Sequence, residues 1–336
     1  MKCVRFTETG EPAAVLNCVD AGPPVLTNGS VRVRMLASPI NPSDLLFVRG
    51  KFGQDPVLPQ SPGFEGVGIV EAADAGLRGR LLTGRRVAVL NRAGGNWAEQ
   101  VVLPATQVIP LSDSLSVSQA ATFFVNPATA WVTTQEVLKV RSGQWLLQTA
   151  GGSTLGRMII RLGKTLGFRT LSIVRRTELV DELRSLGATQ VIVWDAENGE
   201  PDELRSQIRT LTDGQPIRAA IDPVGGATTT ALIESLDRGG RLLVYGTLAG
   251  QPISISSRKL MTSDLSVQGF WLRNFMAQRG LLFKLRLVKK ITRLILDGTL
   301  KSTIVAQCSL DQITDAVTSA EQNSGKTLLQ ISTQPS

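Results

Sequence analysis

The sequence contains no histidine, and this absence excludes several kinds of chemistry at once. A histidine general base, a Ser-His-Asp triad and a histidine-liganded zinc site are all excluded. Cysteine is scarce too, because only Cys3, Cys18 and Cys308 are present and they lie far apart. That number and spacing argue against a disulfide framework or a cysteine-rich metal site, and they favour a reducing, cytoplasmic setting.

Long apolar runs are also missing. No stretch of about 18 apolar residues occurs, so no membrane span is expected. The first ten residues, MKCVRFTETG, lack the apolar core of a signal peptide, and we expect neither a signal nor a transit peptide. The 336 residues exceed one ordinary core, so two domains are expected.

What is present in excess is positive charge. Lysine and arginine outnumber aspartate and glutamate by 36 − 28 = 8, and the sequence pI is about 9.8. The cations are scattered except for a run over residues 284–293, whose helical spacing predicts a solvated helix face. The excess leaves two further interpretations open: an anionic ligand such as a 2′-phosphate or an acidic carrier protein, or nucleic acid.

The pattern of apolar residues changes near Asn126. Up to residue 125, short alternating strands are cut by Gly and Pro, which predicts a small β-rich domain. Over residues 126–269, helical segments alternate with short buried strands, which predicts a Rossmann-type doubly wound parallel sheet. We therefore predict an α/β protein with domains of 1–125 plus 270–336 and of 126–269, the last strand (residues 327–331) returning to the first domain.

A glycine-rich turn follows the predicted strand Trp145–Gln148 and leads into a helix. Its residues are Gly151, Gly152, Ser153, Thr154, Leu155 and Gly156. Gly151 permits a tight turn, Gly156 lets the helix pack closely on the strand, and the helix N-terminus offers N–H groups to a pyrophosphate. Ser153 stands where the usual fingerprint has a second glycine, and its hydroxyl can also bond phosphate.

The end of the next predicted strand distinguishes between two dinucleotides. Arg175 lies 175 − 151 = 24 residues after the first glycine, and Arg176 follows it. NAD-binding domains have a carboxylate near this point for the ribose 2′-hydroxyl. A guanidinium suits a 2′-phosphate instead, so the sequence predicts NADPH.

Short motifs along nearly the whole chain resemble those of a known family. They are Asn41-Pro42-Ser43-Asp44, Pro62-Gly63-Phe64-Glu65-Gly66, Asn126-Pro127-Ala128-Thr129-Ala130, the Gly151 loop, Val224-Gly225-Gly226, Tyr245-Gly246 and Gly269-Phe270-Trp271-Leu272. The chain resembles the zinc-free branch of the medium-chain dehydrogenase/reductase superfamily. It is similar to quinone oxidoreductases and, more closely, to mitochondrial-type 2-enoyl thioester reductases. The resemblance implies a GroES-like substrate domain and a Rossmann domain with a cleft between them.

The same resemblance implies a set of cofactor contacts. They are Asn126 and Gly152–Leu155 at the centre of the cofactor, Ser172, Arg175 and Arg176 at the adenosine phosphate, Tyr245, Gly246, Thr247, Leu248, Phe270, Trp271, Leu272 and Arg273 on the nicotinamide side, and Lys326 nearby. The family pattern has a third arginine where Thr177 stands, which leaves two arginines for the phosphate.

Two departures from the family pattern bear on the chemistry. Zinc-dependent relatives use a cysteine near Ser43 and a histidine where Phe64 stands, so no metal is expected here. The enoyl thioester reductases have a tyrosine as proton donor in a Gly-x-Tyr-Gly segment, which here reads Gly50-Lys51-Phe52-Gly53. A positioned general acid contributes about 10²–10⁴-fold. Its loss should weaken enoyl reduction more than quinone reduction, because quinone oxygens can take protons from water.

We therefore predict an NADPH-dependent, metal-free reductase of a quinone or another activated carbonyl or alkene. Asn41, Phe52 and Asn126 are its predicted catalytic-site residues. Asp44 is a candidate, with Asn41, for a polarising or positioning group near the nicotinamide, or alternatively caps a helix over residues 45–49, the interpretation that we prefer. One alternative is a 2-enoyl thioester reductase that docks an acidic acyl carrier protein, with Lys51 or water as the acid. Another is a non-catalytic NADPH-sensing or RNA-binding protein. An exposed edge strand over residues 265–272 predicts a homodimer.

Overall fold

The computed structural model describes residues 1–332, and the chain divides into two compact units. Unit 1 comprises residues 1–125 and the C-terminal segment from Lys301, and unit 2 comprises residues 126–300. The strands are β1 (Lys2–Arg5), β2 (Asn17–Asp20), β3 (Ser30–Pro39), β4 (Glu65–Asp74), β5 (Arg86–Leu90), β6 (Gln100–Pro104), β7 (Val108–Pro110), β8 (Trp145–Gln148), β9 (Arg169–Val174), β10 (Gln190–Val193), β11 (Ala219–Asp222), β12 (Arg241–Val244), β13 (Ser266–Gly269), β14 (Ile304–Cys308) and β15 (Lys326–Gln330).

The helices alternate with these strands, most regularly in unit 2. They are α1 (Pro12–Val15), α2 (Pro42–Val48), α3 (Gly76–Leu82), α4 (Val117–Ala121), α5 (Val125–Trp131), α6 (Thr154–Leu166), α7 (Leu179–Leu186), α8 (Pro201–Leu211), α9 (Gly226–Ser235), α10 (Ser257–Thr262), α11 (Leu272–Ala277), α12 (Leu281–Leu296) and α13 (Ile313–Gln322). A π-helical turn, Val132–Val137, continues α5. Within residues 1–332, no helix is both long and apolar enough to cross a membrane.

Unit 1 is organised by a seven-stranded sheet in the order β14-β15-β3-β4-β5-β7, with β6 also pairing with β3. Its pairings are antiparallel except for β14 with β15. Val31, Val33 and Met35 of β3 alternate with polar residues and are fully buried in one apolar cluster, as the period of a half-buried strand requires. β15 pairs with β3 in the register Leu328↔Pro39, so the C-terminal segment completes this unit as predicted.

Unit 2 contains a six-stranded parallel sheet in the order β10-β9-β8-β11-β12-β13. From β8 the chain runs outward through β9 to β10, returns to the other side of β8, and runs outward through β11 and β12 to β13. This is the doubly wound order, and right-handed crossovers then place the connecting helices on both faces. All four residues of β8 are buried, as expected for a central strand. The carboxyl ends of all six strands lie at one edge of the sheet.

The observed division differs from the predicted one over residues 270–300, which we expected in the first domain and which belong to unit 2. Local contacts explain the difference. Leu287 and Ile291 of α12 are buried, and Lys290 lies 5.0 Å from the ring centroid of Trp131. Arg161 of α6 donates to the carbonyl of Thr299 at 2.9 Å. A helical pattern alone does not reveal which core such a segment joins.

Candidate active site

The glycine-rich turn after β8 lies against the neighbouring strand β9. A Cβ at Gly151 would lie 2.7 Å from the Cβ of Ser172, and one at Gly156 would lie 2.5 Å from the carbonyl oxygen of Gly151. The residue with a positive φ is Ala150, at 49°, and not Gly151. Gly151 is therefore required for the close approach to β9 rather than for a left-handed turn. Gly156 lets α6 pack closely on the turn, whereas we expected its close contact to be with the strand.

Three backbone N–H groups of this turn point to anion binding. Those of Gly152, Thr154 and Leu155 find no acceptor within residues 1–332. The hydroxyl of Ser153 caps α6 by accepting from the N–H of Gly156 at 3.1 Å. A hydroxyl that accepts in this way can still donate its own hydrogen to a phosphate, so the expected contact stays a prediction. The start of this 13-residue helix thus combines unpaired donors with the positive end of its dipole.

The residues predicted at the end of β9 differ in exposure. Arg175 and Arg176 are exposed directly after the strand, on the side where the glycine-rich turn follows β8. Ser172 is fully buried, and its hydroxyl accepts from the amide of Gln148 at 2.9 Å. The side chain of Ser172 points into the protein and packs against the glycine-rich turn at Gly151.

The remaining predicted residues of unit 2 follow other strands of the same sheet. Tyr245, Gly246, Thr247 and Leu248 follow β12, and Phe270, Trp271, Leu272 and Arg273 follow β13. Burial raises the pKa of the Tyr245 phenol, and the negative charge of Asp222 adds to that effect. Asn126 is the second residue of α5 and is half-buried. The structure therefore gathers the strand-end residues at one edge of the sheet, as expected for a nucleotide site in this topology.

Two residues of unit 2 that sequence reasoning missed hold these loops. Asp222, at the end of β11, is fully buried and accepts from the N–H groups of Val224 and Gly225 at 3.1 and 2.8 Å. It also accepts from the hydroxyls of Thr149 and Thr229. An aspartate at the end of a buried strand, followed three residues later by Gly-Gly, was the available signal.

Arg157 is the second missed residue. The residue is 6% exposed, and its guanidinium donates to the carbonyl of Gly152 and forms two hydrogen bonds with Glu182 of α7, at 2.8 and 2.9 Å. Arg157 thereby fixes the Gly152 carbonyl and links the turn to α7. Because its partner lies 25 residues along the chain, the sequence around Arg157 contains no sign of this function.

In unit 1, four polar side chains meet inside the protein. Lys326, at the start of β15, donates from Nζ to Oδ1 of Asn41, and Nδ2 of Asn41 donates to Oε2 of Glu65 at 3.3 Å. Asp44 accepts from the N–H groups of Asn41 and Phe64 at 2.7 and 3.0 Å. All four residues are at most 4% exposed. The predicted pair Asn41 and Lys326, 285 residues apart, is thus brought into contact, and Glu65 joins it unexpectedly.

Burial also affects how these groups titrate. Burial raises the pKa of Asp44 to about 7, although the hydrogen bonds from Asn41 and Phe64 oppose the shift. Burial likewise raises the pKa of Glu65 and lowers that of Lys326, while attraction between Lys326 and the carboxylates opposes both shifts. We expected Asp44 to precede the helix and cap it, but Asp44 is the third residue of α2, and Asn41 stands at the cap position. The Asp44 carboxylate accepts from the N–H of Asn41, so it stabilises the start of α2 from within the first turn.

Phe52 packs on this part of unit 1. Its half-buried ring stacks on Phe64, with the centroids 5.0 Å apart, and Phe64 in turn contacts the edge of Phe47 at 5.1 Å. The backbone N–H of Phe64 is the one that Asp44 accepts. Position 52 is therefore linked to the buried cluster through one residue, but it contributes a ring face and no proton.

Two family models match the chain. An alcohol dehydrogenase GroES-like domain matches residues 27–113, and a zinc-binding dehydrogenase model matches residues 154–285. The name of the second model does not transfer its metal, because the chain has no histidine and Phe64 stands at the ligand position of the zinc enzymes. Within residues 1–332, no three Cys, Asp or Glu side chains are grouped to hold a metal ion.

Known relatives match over most of their length. The human mitochondrial enoyl-[acyl-carrier-protein] reductase is 33% identical over 277 residues, which cover 81% of this chain and 72% of the human protein. The enzyme of the same name from Schizosaccharomyces pombe is 28% identical, covering 94% of this chain and 89% of its own.

Solved structures show the same fold. One described as an NADPH:quinone reductase from Bacillus thuringiensis is 33% identical, covers 98% of each chain and superposes with a TM-score of 0.88. The mitochondrial 2-enoyl thioester reductase Etr1p/Etr2p heterodimer from Candida tropicalis is 26% identical, covers 98% of this chain and 99% of its own, and has a TM-score of 0.81. With both domains matched in order and its motifs at these positions, the chain belongs to the medium-chain dehydrogenase/reductase superfamily, alongside its enoyl thioester and quinone reductases.

Proposed function

We propose that this protein is an oxidoreductase that uses NADPH, without a metal, to reduce a quinone or another activated carbonyl or alkene. The observation that carries the proposal is the pairing of three open N–H groups at the start of α6 with two exposed arginines after the next strand. The first feature suits a pyrophosphate and the second a 2′-phosphate. Etr1p, which is 26% identical, has been solved with NADP and crotonyl-CoA, which supports the same cofactor here.

The cofactor, once bound, supplies the hydride from its nicotinamide ring, and the protein supplies position and polarity. Gly152, Thr154 and Leu155 would hold the pyrophosphate, while Asp222 and Arg157 keep the surrounding loops in shape. Asn41 and Lys326 would set the polarity at the substrate carbonyl, and Asn126 would contact the cofactor. Lys326 donates directly to the buried amide of Asn41, which orients that amide.

Phe52 is the reason for preferring a quinone or a similarly activated acceptor to a 2-enoyl thioester. Its ring stacks on Phe64 and offers no hydroxyl to protonate the α-carbon of an enoyl thioester. A quinone accepts its protons on oxygen, which water can provide. Hydride transfer is common to both reactions, so Phe52 distinguishes them only through the missing proton donor.

Reduction of a 2-enoyl thioester is the second candidate, and the identity to the human enoyl-[acyl-carrier-protein] reductase favours it. Lys51 or a water molecule would then supply the proton. Assays with NADPH, run side by side with a small quinone and with crotonyl thioester, separate the two. A rate with the quinone at least tenfold higher than the rate with crotonyl thioester supports the first candidate, whereas the reverse order supports the second. Failure on both substrates and on a wider acceptor panel overturns both.

Three further properties belong to this proposal. β13 is the edge strand of the unit 2 sheet, which supports a homodimer formed by pairing of two such edges. Lys289 and Arg293, exposed on α12, suit an acidic acyl carrier protein if the thioester is the substrate. The three cysteines are free, which supports a location in the reducing cytoplasm, whereas the enoyl reductase relatives are named mitochondrial. Sedimentation showing only monomer at micromolar concentration would contradict the dimer, and cell fractionation tests the compartment.

A further inference from the structure

Three side chains that are far apart in sequence form one hydrogen-bonded row inside unit 1, which we name the polar row. It consists of Lys326, Asn41 and Glu65, which are 4%, 3% and 1% exposed. The Lys326 ammonium donates to Asn41, and Asn41 donates to Glu65. Because these groups are shielded from water, each depends on its neighbours for its hydrogen bonds.

The chemistry of the two end groups fixes the direction of the polar row. An ammonium can only donate, and a carboxylate can only accept. The amide of Asn41 could be turned either way, but only one orientation satisfies both ends, with Oδ1 towards Lys326 and Nδ2 towards Glu65. The second hydrogen on Nδ2 finds no acceptor within residues 1–332, so this orientation also decides which donor remains for a ligand.

Glu65 has a second set of partners. Its other carboxylate oxygen, Oε1, accepts from the backbone N–H groups of Phe124 and Val125, each at 2.7 Å. Val125 begins α5, and the next residue is Asn126. One carboxylate therefore fixes the amide orientation of Asn41 and also the backbone directly before Asn126. Asn41 and Asn126 are two of the three residues predicted for the catalytic site.

We propose that Glu65 is a positioning residue for hydride transfer and acts through Asn41 and Asn126. The inference rests on the proposed reductase function. Loss of its negative acceptor should release both asparagines together while leaving the phosphate-binding turn of unit 2 intact. The expected signature is slower chemistry with unchanged cofactor binding.

The decisive variant is Glu65→Gln, which keeps size and shape. Its carbonyl oxygen can still accept from Phe124 and Val125, but its NH₂ faces the NH₂ of Asn41. We expect kcat to fall about 10–100-fold, the range expected when positioning is lost, while the Kd for NADPH stays within about twofold. The deuterium isotope effect on kcat with C4-deuterated NADPH should rise, because hydride transfer becomes slower relative to product release.

Gln119→Glu is the matched control. Gln119 is a buried amide of the same unit that exchanges two 3.0 Å hydrogen bonds with the backbone of Ser302, so its side chain is held by partners outside the polar row. It undergoes the opposite amide-to-carboxyl change. This variant should lower the melting temperature and leave the isotope effect unchanged. Equal losses of kcat in the two variants would show that Glu65 is merely structural.

A second variant covers the case in which Glu65→Gln does not fold. In Glu65→Gln/Lys326→Gln, the polar row can run backwards, because the new amide at position 65 can donate to Asn41, and Asn41 can donate to the new amide at position 326. This protein should be more stable than Glu65→Gln alone, yet it should remain slower than Lys326→Gln alone because its Asn41 amide is reversed. A kcat equal to that of Lys326→Gln overturns the proposal.

The outcomes also separate this inference from the function on which it rests. If the wild-type protein reduces a quinone or enoyl thioester and Glu65→Gln does so equally well, only the positioning proposal fails. If the wild-type protein reduces neither, the proposed function fails, and the positioning proposal fails with it.

Discussion

The two units differ in the kind of group that their candidate functional residues present. Unit 2 offers backbone N–H groups and exposed strand-end residues along one edge of a parallel sheet. Unit 1 offers Lys326, Asn41, Glu65 and Asp44, all buried and held by one another. The first arrangement depends on glycines where a Cβ would collide with backbone, and the second depends on matched donors, acceptors and charges.

This difference predicts how each unit fails. A site made of backbone tolerates changes of side chain but not the addition of atoms at its close approaches. A site made of buried polar groups tolerates small changes of shape but not a change in hydrogen-bonding sense or charge. Substitutions at four sites test this contrast, from the largest expected effect to the smallest.

Gly156→Ala should abolish measurable NADPH binding. The new Cβ would lie 2.5 Å from the carbonyl oxygen of Gly151 and 2.7 Å from that of Ala150, so helix and turn must separate. Overpacking of this kind also costs about 1–3 kcal/mol of stability. Fluorescence titration with NADPH measures the first effect. Gly280→Ala, where nothing lies within 4 Å of the added carbon, is the control and should bind normally. Near-normal binding by Gly156→Ala would show that the turn is not the phosphate site.

Phe52→Tyr should restore the missing acid to unit 1. We expect reduction of crotonyl thioester to rise by about 10²–10⁴-fold, with little change in quinone reduction. The ratio of the two kcat/KM values measures the effect. Phe283→Tyr, on α12 of unit 2, adds a hydroxyl elsewhere and should leave that ratio unchanged. A rise of equal size on both substrates would mean that the hydroxyl does not act as the acid.

Arg175→Ala/Arg176→Ala should remove the preference for NADPH without harming the fold. Charge-assisted hydrogen bonds to a phosphate contribute about 1.5–3 kcal/mol, so NADPH binding should weaken about 10–100-fold while NADH binding barely changes. Isothermal titration with both cofactors is the measurement. Arg184→Ala, an exposed arginine on α7, serves as the control. If both cofactors weaken equally, the arginines hold the loop rather than the 2′-phosphate.

The contrast between the units also explains how far the sequence could predict the site. The strand Trp145–Gln148 has the limits that the sequence predicts, because periodicity and glycine signals are local. The turn at Gly151 was predicted for the same reason, although its left-handed residue proved to be Ala150. Asn41 and Lys326 are predicted as site residues only from the family resemblance.

What local sequence could not indicate was partnership across the chain. Glu65 reaches Phe124, 59 residues away, and Arg157 reaches Glu182, 25 residues away. No periodicity records such pairs, because they exist only after the sheet has formed. The same reason applies to residues 270–300, whose helical pattern gave no sign that they would pack with unit 2.

Asp44→Asn should change how stability depends on pH, which is the smallest of the four effects. In the folded protein burial raises the pKa of Asp44 to about 7, whereas an unfolded chain titrates near the ordinary value of 3.8. The folded state therefore binds its proton more tightly. The stabilisation is complete below the unfolded pKa and is lost as pH rises through about 7. The slope for one group is at most about 1.4 kcal/mol per pH unit.

Urea unfolding at pH 5, 6 and 7 measures this slope. The wild-type free energy of unfolding should fall between pH 5 and 7, and Asp44→Asn should remove most of that fall. Glu65 and Lys326 remain to titrate beside it, so a weaker residual dependence is expected. Asp55→Asn, which removes an exposed carboxylate of the same unit, should keep the wild-type slope. If Asp44→Asn keeps it too, the buried carboxyl is ionised throughout this range, and attraction to Lys326 outweighs its burial.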